Sequence, residues 1–368
     1  MPNREHNPLF QTLQSLVAIP SEYPNEHNVT QFLLAWLDEH HFGTVTTQEV
    51  APGRNNILIT RGSGDKAILF YGHVDTVRVV DGWTHNPFEL HPDGDRLYGL
   101  GAYDMKGGIA AFLRACQESD TYIKIMLVVD EEDLSRGAWH MVHHSPSFFT
   151  DVELAISAEP NFGLGLHGIT TGRTGRVVYD LNAAGQSAHL TRLEDGIDSI
   201  ANLASFICAF YTQRDQLLSS AQSKGLVRML HAEAAGMSVC DEAQAQVDLL
   251  LAKPDTVGGI LSKLQELSTT VEVTLHARPT PFLEGYHFDS FPHQDIVADI
   301  VQETTGQMAT WEFRSSVADD NVIASLSIPV ITWGPDGANA HASDEWVSWE
   351  SLKTLSLMYE KLLKRVRK

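Results

Sequence analysis

Residue types that bind divalent metal ions recur in this 368-residue sequence at one kind of position, directly after short apolar runs that read as β-strands. Ile68-Leu-Phe-Tyr-Gly72 runs into His73-Val-Asp75, Ile125-Met-Leu-Val-Val129 into Asp130-Glu-Glu-Asp133, and Leu154-Ala-Ile-Ser-Ala158 into Glu159-Pro160. Ile331-Thr-Trp-Gly-Pro335 leads on to His341, and Asp104 closes the glycine-rich stretch Gly99-Leu-Gly-Ala-Tyr103 just before a helical pattern. Open α/β sheets form their ligand crevice beyond the carboxyl ends of their strands. Five separate segments are thus expected to bring their chemistry to one place.

In His73-Val-Asp75 the two-residue spacing puts both side chains on one side of an extended chain. Asp75 can then accept a hydrogen bond from the imidazole and fix its tautomer for metal binding. Adjacent Glu131 and Glu132 point to opposite sides if the chain there is extended, so that one binds metal while the other faces substrate. Carboxylates converging without a cation repel one another and take up protons, whereas divalent ions keep them ionised. Two histidines and three carboxylates, with no thiolate, suit Zn²⁺ and tolerate Co²⁺ or Mn²⁺. A pair of ions needs one bridging carboxylate, and Asp104 is the choice because it lies where loop meets helix, between the other contributions.

Taken singly, each motif has a plainer reading, as a surface His-Asp pair or a solvated acidic turn. Their shared position after buried strands favours the metal reading. Rival motifs are weaker. Gly163-Leu-Gly-Leu-His-Gly168 matches GxGxxG, but a strand pattern follows it where dinucleotide binding needs a helix. The sequence has no phosphate loop ending in GK[ST] and no GxSxG elbow. His40, His41, His143 and His144 lie in polar contexts and read as solvated.

Composition narrows the setting. Twenty-six basic against forty-seven acidic residues give a net charge of −21, which repels nucleic acid and anionic membrane surfaces and attracts metal cations. No run is long and apolar enough to span a bilayer. The N-terminal stretch has helical periodicity, not the continuous apolar core of an export signal. Cys116, Cys208 and Cys240 are odd in number and far apart, so neither disulfides nor a thiolate site is indicated and a reducing cytoplasm is expected.

The elements that must position these residues alternate in type. Pro8–Val17 reads as a helix capped by Asn7, Gly107–Cys116 as a helix, and Ile68–Tyr71, Ile123–Val129 and Leu154–Ser157 as strands. This order predicts an α/β domain with a largely parallel sheet covered by helices. From about Thr170 the pattern becomes β-α-β-β-α-β, the order of a ferredoxin-like unit, and Arg278-Pro-Thr-Pro281 follows as a linker. An apolar strand at 328–333 and a closing helix from near Ser348 resume the first pattern. The expected division is therefore 1–169, an inserted domain at 170–281, and 282–368.

At these residues the sequence resembles the two-zinc family of aminoacylase, acetylornithine deacetylase, succinyl-diaminopimelate desuccinylase and glutamate carboxypeptidase. YGHVDTV, GLGAYDMKGG, DEEDLSRGA, AEPN, GQSAH and AHASDEWV occur in the family's order over nearly the whole chain. The resemblance implies a zinc-exopeptidase-like α/β domain, a mixed sheet flanked by helices, with an inserted ferredoxin-like α+β domain acting as lid and dimerisation surface. It implies that His73, Asp104 and Glu159 hold one zinc and Asp104, Glu132 and His341 the other. Asp75 then supports His73, Glu131 is the general acid/base, and His189 of GQSAH reaches an active site, in dimeric members the partner's. The implied activity is hydrolysis of an N-acyl amino acid amide by a metal-activated water, with dipeptidase or carboxypeptidase action as the alternative. A metal-bound scaffold that has lost catalysis is a third reading, which the retained Glu131 and His189 oppose. The chain departs from relatives on the substrate side: Asp248-Leu-Leu-Leu251 lacks a usual arginine, Met237-Ser238 replaces a usual asparagine, and Ser316-Val-Ala-Asp319 stands for Gly-Thr-x-Asp. Arg173, Arg176, Arg192 and Arg314 are the candidates for gripping a substrate carboxylate.

Overall fold

The structure, a computed structural model, describes residues 4–366. It separates into two compact units. The first holds the chain up to Gly172, Phe288–Phe313 and the chain from Ala318, and the second holds Arg173–His287 and Arg314–Val317. These changeovers differ from those expected at 170 and 282 for a local reason: beyond Pro281 the chain still pairs with the second unit, where Arg176 N donates to Leu283 O at 2.9 Å.

The first unit is a mixed α/β fold. Its sheet runs in the order Thr44–Ala51, Arg54–Arg61, Ile123–Val128, Ala67–His73, Val152–Ser157, Val330–Thr332, Gly168–Arg173. Only the middle four are parallel. A hairpin closed by Pro52-Gly53 (Gly53 φ 74°) flanks them on one side and Gly168–Arg173 on the other, both antiparallel to their neighbours. The sheet is thus mixed, as the family resemblance implies, where the order of elements alone favours a largely parallel one, because Thr44–Ala51 and Arg54–Arg61 form an antiparallel hairpin. All seven residues of Ala67–His73 and all six of Ile123–Val128 are buried, as strands covered on both faces must be. Phe70 shows how: its ring meets Phe112 of helix Gly107–Gln117 at 5.5 Å and Tyr359 of helix Trp349–Val366 at 5.2 Å.

The helix Pro8–Val17 forms as its sequence predicts, with the Asn7 side chain accepting Leu9 N at 2.9 Å and proline in the first turn. Among the described residues no helix is long and apolar enough to cross a membrane.

The second unit has the order strand Gly175–Ala184, helix Ser199–Leu217, strands Lys224–Ala232 and Glu242–Leu251, helix Val257–Gln265 and strand Glu272–Leu275. Numbered in that order, the strands lie 2-3-1-4 and all pairings are antiparallel, the ferredoxin-like arrangement that the β-α-β-β-α-β pattern predicts. Burial alternates along Glu242–Leu251 because both helices cover one face. Val177, Tyr179, Val247 and Leu249 pack there with Leu203, Phe206 and Ile260. Phe206→Ala is expected to cost about 3–5 kcal/mol, read as a lowered urea midpoint by circular dichroism. A midpoint equal to the parent's would contradict this core.

Candidate functional site

Parallel order in the middle of the sheet puts the carboxyl ends of Ala67–His73, Ile123–Val128 and Val152–Ser157 along one edge, and the side chains beyond those ends converge. His73, the last residue of its strand, is 1% exposed. Its Nε2 lies 3.2 Å from Asp104 Oδ1 and 3.5 Å from Glu159 Oε1. His341 Nε2 lies 3.4 Å from Asp104 Oδ2 and 3.0 Å from Glu132 Oε2. Asp104 therefore offers one oxygen to each histidine. Within His73, Asp104 and Glu159, within Asp104, Glu132 and His341, and within His73, Glu131 and Glu132, the donor atoms lie within 4.8 Å of one another.

Each donor is held by specific backbone geometry. Asp104 follows Gly101 (φ 72°), and the buried carboxylate of Glu345 accepts the N–H groups of Gly101, Tyr103 and Asp104 at 2.8, 2.9 and 2.9 Å. Glu131 and Glu132 sit on a turn opened by Asp130 at φ 73°. His341 is itself left-handed (φ 62°), and its loop is tied down where Asp344 accepts Thr84 N at 2.8 Å and Thr84 Oγ1 at 3.0 Å. Left-handed non-glycine residues cost on the order of 1–3 kcal/mol and persist where their surroundings impose them. Glu159 is fixed from behind: a Cβ on Gly334 would stand 1.7 Å from the Glu159 carbonyl oxygen, so only glycine permits this approach.

The electrostatics ask for positive charge. Two carboxylates 4.8 Å apart repel by about 3 kcal/mol at an effective dielectric constant near 20, and several are gathered here. Burial pushes the Glu131 carboxyl well above the usual range, and neighbouring Glu159 adds to this. Burial likewise takes Asp75 to about 7, against the pull of His73. Hydrogen bonds to Asp104 and Glu132 raise His341 to about 10. Burial disfavours the charged form of His73, yet Asp104, Glu131 and the other carboxylates outweigh it and raise its pKa well above the ordinary value. For Asp104, burial opposes ionisation but the two histidines hold its pKa well below the carboxylate norm. In effect the carboxylates draw protons onto both imidazoles, the charge that divalent cations would supply. Glu132 Oε1 and Asp75 Oδ1 are buried with no hydrogen-bond partner among the described residues, and such atoms ask for a partner. With no sulfur donor and two histidines, the set fits a pair of divalent ions.

Some expectations change in detail. The nearest acceptor to His73 Nδ1 is the Asp75 backbone carbonyl at 3.0 Å; the Asp75 carboxylate stands at 3.7 Å, and its Oδ2 accepts Glu132 N at 3.0 Å. Residues 131–134 form a turn, not an extended segment, so Glu131 and Glu132 both approach His73 where opposite directions were expected. His189 lies in the second unit, exposed, with its Nδ1 2.9 Å from Thr191 Oγ1. Arg176 is held by Asp248 at 3.0 and 2.7 Å, which leaves its guanidinium engaged where a substrate grip was suggested. Arg192 is exposed, 3.7 Å from Asp195, and Arg173 Nη1 donates to Ser316 Oγ at 2.8 Å. Glu345, Asp130 and Gly334 were not singled out from the sequence. Glu345 could have been, since it stands four residues after His341 in AHASDEWV.

The model of peptidase family M20/M25/M40 matches residues 69–365. The chain belongs to that family. As an M20 protein it is a hydrolytic enzyme, and relatives match it along most of its length. It is 24% identical over 370 residues to succinyl-diaminopimelate desuccinylase of Sulfurovum sp. (strain NBC37-1), covering 96% of this chain and 97% of the relative. It is 24% identical over 355 residues to acetylornithine deacetylase of Vibrio atlanticus (strain LGP32), covering 90% and 89%. Among solved structures, aminopeptidase PepT from Bacillus cereus superposes with a TM-score of 0.82 at 20% identity, covering 100% of this chain and 99% of that one. The YXEP protein of Bacillus subtilis, a dinuclear metal binding peptidase from the M20 family, gives 0.73 at 14% identity, covering 98% and 97%. The M20 fold is thus kept where little sequence is shared. Gly334→Ala, which drives a methyl into the Glu159 carbonyl, is expected to lower activity on the order of a hundredfold and to reduce bound metal. Parent-like metal content by atomic emission would contradict the role given to this contact.

Proposed function

We propose that this M20 enzyme hydrolyses the amide bond of an N-acyl amino acid, in the manner of a deacetylase or desuccinylase, with a pair of zinc ions that cobalt or manganese can replace. The carrying observation is Asp104, whose two oxygens face the two histidines, so that one carboxylate belongs to both donor trios. In this reading His73, Asp104 and Glu159 hold one ion and Asp104, Glu132 and His341 the other. The relatives named as desuccinylase and deacetylase, aligned along nine-tenths or more of this chain, support the choice of substrate class. Action as a dipeptidase or carboxypeptidase is the alternative, and a substrate panel separates the two.

The ions, when bound, would polarise the amide carbonyl and make a water acidic near neutral pH. The remaining steps belong to side chains. Glu131 accepts the water's proton as the oxygen attacks the carbonyl carbon, and returns it to the amine nitrogen as the C–N bond breaks. Asp75, through its carbonyl on His73 and its carboxylate on Glu132 N, orients one residue of each donor trio. His189 donates to the developing oxyanion, in a homodimer from the partner. A cytoplasmic setting accords with three free cysteines.

The dimer is assigned to the inserted unit. Its edge strand Lys224–Ala232 exposes Leu226 at 52% and Leu230 at 62%, and an apolar edge strand invites pairing with a second copy. Leu226→Lys with Leu230→Lys is expected to shift the sedimentation coefficient from dimer to monomer. A parent protein that sediments as a monomer removes this part of the reading.

Glu131→Ala should keep both ions and lose about 10²–10⁴-fold in kcat, measured with N-acetyl, N-succinyl and dipeptide substrates after loading with Zn²⁺ or Co²⁺. A parent enzyme inert on the whole panel at full metal occupancy would refute the proposed activity.

A further inference from the structure

A buried ionic hub stands behind the turn that carries Glu131 and Glu132. Arg54, at the start of the strand Arg54–Arg61, forks onto Glu26, with Nε 2.7 Å from Oε2 and Nη2 2.5 Å from Oε1. The same Nη2 donates to Asp130 Oδ1 at 2.8 Å. The Glu26 and Asp130 side chains are fully buried and that of Arg54 is 10% exposed. Its guanidinium stacks over the Tyr23 ring at 4.8 Å. Asp130 in turn closes the turn: its Oδ2 accepts Arg136 N at 3.1 Å and its carbonyl accepts Ser135 N at 2.8 Å.

A second side chain of the same strand grips the same turn. Asn56, two residues on and so on the same face, donates to Gly137 O at 2.9 Å and accepts Val129 N at 3.2 Å. The segment leading to Glu26 is laced to the other ligand-bearing strand end, since Tyr23 N donates to Thr76 O and Thr76 N to Ser21 O, each at 3.0 Å. Thr76 directly follows Asp75.

Neither Arg54 nor Glu26 reacts or binds metal in the proposed mechanism, and a buried ion pair is poor evidence for stability, because apolar replacements are often as stable. Its geometry explains it better. Asp130 is held at φ 73°, a conformation that relaxes unless its surroundings over-determine it. Only a planar fork meets two carboxylates and an aromatic face together, which a lysine cannot do.

We propose that Arg54, with Glu26, is a positioning residue: it sets the Asp130 turn, and through it decides whether Glu132 completes the trio with Asp104 and His341 and where the Glu131 carboxylate stands. The catalytic half of this inference rests on the proposed function; the metal half does not. The test uses Arg54→Lys, which keeps the charge but loses the fork and the stack, and Glu26→Gln, which keeps the shape and loses the charge. Zinc is titrated calorimetrically into the stripped full-length proteins, the cobalt-loaded forms are compared by visible absorption, and kcat and KM are taken at saturating zinc. In Arg54→Lys one zinc is expected to bind as in the parent and the other about 10–100-fold more weakly, with altered cobalt bands. There kcat should fall at least about tenfold and KM stay within about twofold. Glu26→Gln should move the same way by less, and it carries the test alone if Arg54→Lys does not fold. Parent-like zinc binding and kcat in both variants, whatever their melting temperatures, would overturn the proposal, and so would equal weakening of both ions. If the parent hydrolyses nothing on the panel, the activity fails while the zinc titration still decides the positioning.

Discussion

Carboxylates crowded into a buried pocket are the constraint from which the rest of the site follows. Asp75, Asp104, Glu131, Glu132 and Glu159 gather around two imidazoles, and burial penalises the ionised form of most of them. A fold tolerates such a cluster only if cations balance it and rigid elements prevent the carboxylates from turning away. Strand ends fixed in the middle of a sheet meet the second requirement, and the donor trios offer places for the first. Hydrogen bonds from backbone N–H groups then hold the supporting acids in place: three to Glu345 behind Asp104, and one each to Asp75 and Asp130.

Part of the chain's left-handed backbone falls where the site needs an unusual direction. Asp130, His341, Asn339 and Asp344 all take left-handed backbone at loops that carry or brace donors. Strand ends alone could present His73 and Glu159. The second trio needs a side chain from a long loop and another from a tight turn, and both are imposed by tertiary contacts. That difference shows in exposure: the trio of His73, Asp104 and Glu159 is wholly buried, whereas the His341 side chain is 53% exposed.

The same contrast governs what could be read without a structure. The residues at strand ends were legible because burial on both faces writes a continuous apolar run that stops at a polar residue, as Ile68–Gly72 stops at His73. The inserted unit was legible because helix and strand periods alternate cleanly from Arg176 to His276. The hairpin of Thr44–Ala51 with Arg54–Arg61 was not, since Thr44–Ala51 has no buried residue to mark its face. Nor could the turn of Glu131 and Glu132 be known, because its shape is set by Arg54 and Asn56 from a strand some seventy residues earlier. Gly334 was hidden for a similar reason: the need for glycine arises only from the Glu159 backbone lying against it. A core asks for apolar volume in the right period, which many sequences supply, and so the M20 fold persists at 20% identity. Contacts between distant segments leave no such period.

In the proposed mechanism the neighbouring positions of Glu131 and Glu132 couple two functions that could have been separate. One residue moves the proton and the next holds an ion, on a turn whose backbone is pinned at both ends by Asn56. A shift of that turn cannot misplace the base without also opening the trio of Asp104, Glu132 and His341. Selection for a well-placed ion is then also selection for a well-placed base. This accounts for the buried charge at Arg54 and Glu26: its net worth to stability is small, but it acts on two geometries at once, each of which must hold to within a fraction of an ångström.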